Sequence, residues 1–212
     1  SFAAFRSNDL AAATRVEPLE EVIDDLTDAL RSGHVRRLQK GECSIETGFI
    51  WTDLLTSLER IGDHALGLAK TAEEICHKEI QFSVGAQQDI MTLRMAIADI
   101  IGYTVNAFTQ HDLAAARHVE PLEQIVDVLR VKMKEGHIDR MQTGTCTQQT
   151  GFVYSDLITN CQRISDHCSN LAVSLIRAEV DKMDAHAYLG SLKAGEDREF
   201  VELYNQYKKK YN

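Results

Sequence analysis

Proline and glycine are scarce in this chain, at 2 and 12 of 212 residues. Sandwiches and barrels of β-strands need a turn about every 8–12 residues, and those turns draw on the two residue types in short supply. Long helices fit this composition better. Basic residues are also in deficit, with 23 Lys and Arg against 32 Asp and Glu and a net charge of −9. Sequence-blind binding to nucleic acid rests on cationic side chains that neutralise phosphates, so nucleic acid is not an expected partner. No apolar run approaches the roughly 18 residues of a membrane span; the nearest, Met95 to Val105, is interrupted by Asp99. The five cysteines are odd in number and lack a CxxC pair, and the chain opens at Ser1 without a signal-like region. A soluble stretch of protein in a reduced, cytosolic compartment is the expectation. Glycine-rich phosphate loops are missing as well.

What the chain does have is a repeat. Asn8–Ala69 aligns with His111–Ala172 without a gap, at the constant offset that separates Glu17 from Glu120, and close to half of the positions are identical. DLAAATRVEPLEEVID from Asp9 returns as DLAAARHVEPLEQIVD from Asp112, and GFIWTDLLTSLERIGDHA from Gly48 returns as GFVYSDLITNCQRISDHC from Gly151. Self-similarity of this kind marks a duplicated structural unit. Leu19, Ile23, Leu26 and Leu30, then Leu54, Leu58, Ile61, Ala65 and Leu68, recur at three and four residues, the stripe of an amphipathic helix. Each unit therefore reads as an antiparallel helical hairpin, with Gly33, Gly41 and Gly48, or Gly136, Gly144 and Gly151, in its polar elbow. Pro18 and Pro121 are one helix-start or kink position copied by the duplication.

A further helix is predicted over Gln87–Thr109 ahead of the second hairpin, which makes a complete unit three helices long. The counterpart of Gln87 would precede Ser1, leaving only Ser1–Ser7 as that helix's end, so the expectation is a chain cut from a longer one. The predicted architecture is all-α: tandem three-helix bundles related by a pseudo-two-fold repeat, the first truncated at its N-terminus. The expected boundaries are 1–80 for the first repeat, 81–180 for the second, and 181–212 for a helical C-terminal tail beginning DKMDAHAYLGSL. Phe200, Tyr204, Tyr207 and Tyr211 share one face of the terminal helix. That stripe either docks on the bundle's own core, the commoner fate of such aromatics, or serves a partner or another subunit.

Carboxylates are placed twice. Glu17, Glu20 and Asp24 return as Glu120, Glu123 and Asp127. Glu20 and Asp24 are four apart, as are Glu59 and Asp63, so each pair projects from one helical face. Like charges at that spacing repel, and two helices side by side could aim Glu20, Asp24, Glu59 and Asp63 at one cation. Acidic pairs on a solvated face are the ordinary alternative; retention in both units favours function. In the second unit Gln162 replaces Glu59 while Asp166 is kept, so Glu123, Asp127 and Asp166 should bind a metal more weakly or hold fewer ions. His64 and His167 follow the last carboxylate of each set, but neighbours in a helix diverge by about 100°, and a structural role is the commoner one. Cys43 and Cys146 in the elbows, Cys161, Cys168 and Cys76 read as inert thiols, with no thiolate–histidine arrangement visible. A ferritin-like metalloenzyme would carry Glu-x-x-His; Glu59 is followed at three by Gly62. The chain is not expected to be an enzyme.

A three-helix unit in tandem, with Glu-x-x-x-Asp on one helix and LERIGDHALGLA or CQRISDHCSNLA on the next, resembles the PhoU family of phosphate-uptake regulators over roughly residues 8 to 180. The resemblance implies clusters of divalent or trivalent metal ions, iron or zinc, in single or multinuclear form, held by Glu20, Asp24, Glu59 and Asp63 and by Glu123, Asp127 and Asp166. VEPLEEVID, Cys43, RISDHC and the DAHAYL…YNQYKKKYN tail are most similar to the PhoU-type domain appended to bacterial sodium–phosphate cotransporters. That likeness implies a regulatory domain at the cytoplasmic face of the membrane, partnered by the transmembrane phosphate-transport domain of the same polypeptide, with homo-oligomerisation open. The alternative within the family is a free-standing regulator linking an ABC phosphate importer to a sensor kinase.

Overall fold

The computed structural model describes residues 10–179, 190 and 197–211, and among the described residues every regular element is a helix. The expected helix end at Ser1–Ser7 and, apart from Gly190, the DKMDAHAYLGSL start of the tail lie outside the described residues. One helical turn, α1 (Leu10–Ala13), leads into α2 (Val16–Gln39) and α3 (Ile45–His77). The second repeat comprises α4 (Val84–Gln110), α5 (Leu113–Gln142) and α6 (Gln148–Glu179), and the chain ends in α7 (Arg198–Tyr211).

The helix starts are written in the sequence. Ser44 and Ser83 are the N-caps of α3 and α4, each accepting a hydrogen bond from a backbone N–H three residues on, and Asp112 accepts from Ala114 and Ala115 to open α5. His111, in the left-handed region at φ 53°, turns the chain from α4 into α5. The duplicated proline behaves differently in the two copies. Pro121 lies inside the continuous α5, whereas the chain breaks at Thr14 and Arg15 just ahead of Pro18, so that α1 and α2 are separate.

The elbow glycines correct one expectation. Only Gly41 and Gly144 lie in the connections, both at φ +70°, where a side chain would be strained. Gly33, Gly48, Gly136 and Gly151 are inside helices. Gly48 and Gly151 serve close approach instead: a Cβ would fall 2.8 Å from Nε2 of His34 at Gly48 and 2.6 Å from Nε2 of His137 at Gly151. Beside these histidines, Arg37 lies over the Trp51 ring and Arg140 over the Tyr154 ring, one cation–π contact copied with the repeat.

Helices α4, α5 and α6 enclose the main core, in which Leu93, Ile97, Ile100, Leu122, Val126, Ile158 and Ile164 are all fully buried. Helix α3 packs on α2 and, more extensively, along α6. In that second contact His64 stacks on His167, its own counterpart in the repeat, at 5.8 Å between ring centroids. A residue that meets its copy marks the pseudo-two-fold axis. On one side of it Asn160 approaches Gly67 and its Oδ1 accepts from Nδ1 of His64 across 3.1 Å, and on the other Arg177 faces Asp53 at 3.7 Å. These pairings make α3 and α6 antiparallel.

The two bundles are not equally covered. Leu122, Ile125, Leu129 and Met133 of α5 are at most 6% exposed, while their counterparts Leu19, Val22, Leu26 and Leu30 of α2 are 42–63% exposed. On the second bundle the terminal aromatic stripe docks against α5. Tyr207 hydrogen-bonds to Nδ1 of His118, Tyr103 stacks on the same imidazole at 4.4 Å, and Asp99 of α4 accepts from Lys210 and Tyr211. Burial holds His118 below its ordinary pKa of 6.5, against the pull of Glu199 and Asp112.

Two predictions follow from this packing. Leu129→Ala is expected to cost about 2–5 kcal/mol in urea unfolding, and Leu26→Ala, one repeat earlier, at most about 0.5 kcal/mol; equal losses would contradict the unequal burial. For α7 the proton linkage has a definite sign. Undocked His118 binds a proton more readily than docked His118, so docking weakens as pH falls through about 6.5. Amide exchange in α7, corrected for intrinsic rates, should quicken from pH about 7.5 to about 5.5, and His118→Gln should remove that dependence.

Candidate metal centre

The Ile61-Gly62-Asp63-His64 segment positions the site. The buried Gly62 lets α2 come close, since a Cβ there would meet Ile23 at 3.4 Å and the Glu20 side chain at 3.8 Å. About 100° further round the helix, Asp63 turns toward α2 while His64 turns toward α6. Glu20 and Asp24, one turn apart on α2, complete a set of three carboxylates whose ligand oxygens all lie within 4.8 Å of one another. Among the described residues no other group of three acidic, histidine or cysteine side chains meets this condition.

Crowding shows in the titration of Glu20. Loss of hydration raises its pKa, and the charges of Asp24 and Asp63 raise it further against a weaker pull from Lys70. Protein cations compensate only partly, through Arg60, which donates to Asp63 at 2.9 Å from the rim. Carboxylate oxygens bound to zinc sit about 2.0–2.2 Å from the ion and hence no more than about 4.4 Å apart. The oxygens of Glu20, Asp24 and Asp63, within 4.8 Å of one another, lie close to that limit.

Glu59 is not in the group. Arg31 donates to it at 2.6 Å and also bonds Thr56, so the fourth predicted carboxylate is already paired. Arg31 lies seven residues after Asp24, two turns along the same helix face, a spacing that does not by itself say which carboxylate it meets.

The second repeat does not assemble an equivalent set within the same distance. Arg130 bonds Asp127 at 3.2 Å, and Arg163 bonds Asp166 at 3.3 Å. Burial raises the pKa of Asp166; Arg163 pulls it down, Asp127 pushes it up, and Arg130 pulls it down again. Glu123 has interactions of its own. The counterpart of Arg130 is Thr27, so this half differs by an added guanidinium as well as by Gln162 for Glu59. The repeat alignment contains that exchange. At the helix crossing Gly62 is matched by Ser165, which is fully buried with an unpartnered hydroxyl.

The thiols are of two kinds. Burial pushes Cys161 up to about 12 and Cys168 up to about 11, as suits inert core residues. Cys146, by contrast, lies 3.6 Å from Nδ1 of His137, a thiol–imidazole contact that the sequence reading missed. The two residues are nine apart across the elbow and meet only because the hairpin closes.

With this geometry in hand, comparison with known proteins decides the family. The model of the PhoU domain matches residues 1–72 and 90–175. The chain belongs to the PhoU family. It is 21% identical over 140 residues to a phosphate-specific transport system accessory protein PhoU homolog of Thermotoga maritima, covering 66% of this chain and 59% of that protein. An uncharacterized protein of Deinococcus radiodurans is 27% identical over 122 residues, 57% of this chain and 43% of its own length. The chain thus spans about half the length of the curated relatives it matches. The crystal structure of the phosphate transport system regulatory protein PhoU from Streptococcus pneumoniae superposes with a TM-score of 0.72, covering 86% of each chain at 19% identity. That likeness establishes the PhoU helical-bundle fold.

One prediction concerns the crowded glutamate. In carboxyl-resolved NMR titrations Glu20 should titrate above an ordinary glutamate, and Asp24→Asn with Asp63→Asn should bring it part of the way back. An unmoved Glu20 in the double variant would mean that the three carboxylates do not share a site.

Proposed function

We propose that this chain is a metal-holding regulatory domain in phosphate transport, attached at the cytoplasmic face to the transmembrane portion of a sodium–phosphate cotransporter. Membership of the PhoU family across both repeats supports the phosphate-regulatory reading. The convergence of Glu20, Asp24 and Asp63 supports the metal reading. These three residues would hold a divalent or trivalent cation, iron or zinc, at the joint of α2 and α3. Arg31 is placed to keep Glu59 as a supporting acceptor rather than a direct ligand. In the second repeat Glu123, Asp127 and Asp166 would hold an ion more weakly, because Arg130 supplies positive charge there and Gln162 removes negative charge.

An ion bound between α2 and α3 ties two helices at one point. Its occupancy can bias contact with a transport domain only by as much as the two conformations differ in affinity for it. Within this reading the chain's own residues bind and orient; none performs a covalent step. A free-standing regulator of an ABC importer and sensor kinase is the second reading, favoured by the likeness to the phosphate-specific transport system accessory protein of Thermotoga maritima.

The decisive metal experiment is elemental analysis of protein purified without chelator. It should show iron or zinc, and Asp24→Ala with Asp63→Ala should lower the content to that of the weaker half; unchanged content would remove the site. Phosphate uptake separates the two regulatory readings. Deleting this domain from the natural polypeptide should alter sodium-dependent uptake in the first case, and should alter sensor-kinase output through the ABC importer in the second.

A further inference from the structure

The duplication carries an imidazole and a thiol in each hairpin, His34 with Cys43 and His137 with Cys146. In the second repeat the two meet. Sγ of Cys146 lies 3.6 Å from Nδ1 of His137 and 3.5 Å from the carbonyl oxygen of Thr147, so the thiol hydrogen has two acceptors in reach. The ring has little freedom to turn away. Its other nitrogen faces Gly151, where a Cβ would come within 2.6 Å, and the ring tilts against Tyr154 at 5.3 Å between centroids. Burial, and after it the Arg140 guanidinium, hold His137 below its ordinary 6.5. The imidazole is therefore neutral near pH about 7 and able to take a proton.

Charge separates the two elbow thiols. Cys43 stands between Glu42 and Glu46, whereas Thr145 and Gln149 hold those places beside Cys146. Cys146 also directly precedes Thr147, which accepts from the backbone N–H of Thr150 at the start of α6, and the first turn of that helix has no acidic residue. The positive end of α6 is thus left uncompensated next to the sulfur. Negative charge builds on a sulfur as it attacks an electrophile, and a positive, partly open setting is where thiols react. Access does not distinguish the pair, since Cys43 and Cys146 are both half-buried; Cys161 and Cys168 are buried.

We propose that Cys146 and His137 form a thiol–disulfide exchange site, which takes a small soluble disulfide and keeps half of it as a mixed disulfide. The S–H bond of Cys146 breaks as Nδ1 of His137 takes the proton, Sγ bonds one sulfur of the incoming disulfide, and the S–S bond of that molecule breaks. The leaving sulfur takes the proton from the imidazolium and departs as a thiol. Cys146 is oxidised, the departing half is reduced, and attack by a second small thiol reverses the step. No other cysteine lies in this elbow to convert the mixed disulfide into an internal bridge. The next along the chain, Cys161, is on the buried side of α6 at 1% exposed.

Glutathione disulfide is the probe, added to the reduced natural full-length polypeptide near pH about 7, with peptide mass spectrometry following the mixed disulfide at each cysteine over time. Cys146 should be modified at least about tenfold faster than Cys43, while Cys161 and Cys168 stay as thiols. His137→Gln should slow Cys146 by about tenfold or more, as loss of a positioned base requires, and leave Cys43 unchanged. Thr145→Glu with Gln149→Glu copies the charges around Cys43 at two exposed positions, disturbs no buried group, and should slow Cys146 several-fold. Equal rates at Cys146 and Cys43 in the unsubstituted protein would overturn the proposal. So would a rate at Cys146 that neither the loss of His137 nor the added carboxylates change.

Discussion

The contact of α3 with α6 is the constraint on which the rest of the molecule hangs. Both helices exceed thirty residues, and they cross where His64 stacks on its own copy, His167. Everything near the crossing follows from that register. Gly67 has no side chain because Asn160 fills the space, and His64 is committed to the partner helix. One step round the helix, Asp63 is then committed to α2. The acidic cluster is thus a by-product of how two repeats meet as much as of how α2 and α3 pair. A histidine beside a carboxylate, which resembles a ligand pair in the sequence, is here a division of labour between two faces of one helix.

Duplication supplies an internal control on the energetics. Leu26 and Leu129 occupy one position of one motif, yet their exposure differs about ninefold, at 56% and 6%. Glu120 is buried against the hydroxyl of Ser169, whereas Glu17 stands in solvent near Lys70, because Leu66 occupies the place of Ser169. Arg130 for Thr27 and Gln162 for Glu59 show the same drift at the acidic sites. Matching local sequence yields matching helices apart from the break at Thr14 and Arg15, and the neighbours decide what each residue contributes.

The helices, the hairpins and the two-repeat plan were legible because they rest on periodicity and on an alignment of the chain with itself. Glu20, Asp24 and Asp63 were legible because spacing of four on a helix fixes a shared face. The pairing of Glu59 with Arg31 was not read, since it depends on which long side chain reaches across the hairpin first. Nor was the contact of Cys146 with His137, or the use of Gly48 and Gly151 as clearances for imidazoles inside helices instead of as elbow residues. Each of these is set by distances across packed elements, which a one-dimensional pattern does not carry. The aromatic stripe of α7 had two open readings, and its docking against His118 decides for the bundle's own surface.

The pseudo-dyad also governs how the molecule can move. A short linker between two bundles would act as a swivel, but here the connection is a seam of side chains running along two long antiparallel rods. Rods joined in this way resist bending at the seam and yield by sliding or by rolling one on the other. A push on α3 beside Asp63 is delivered along the rod to the far bundle within the same rigid element, and His64 over His167 is the bearing on which it turns.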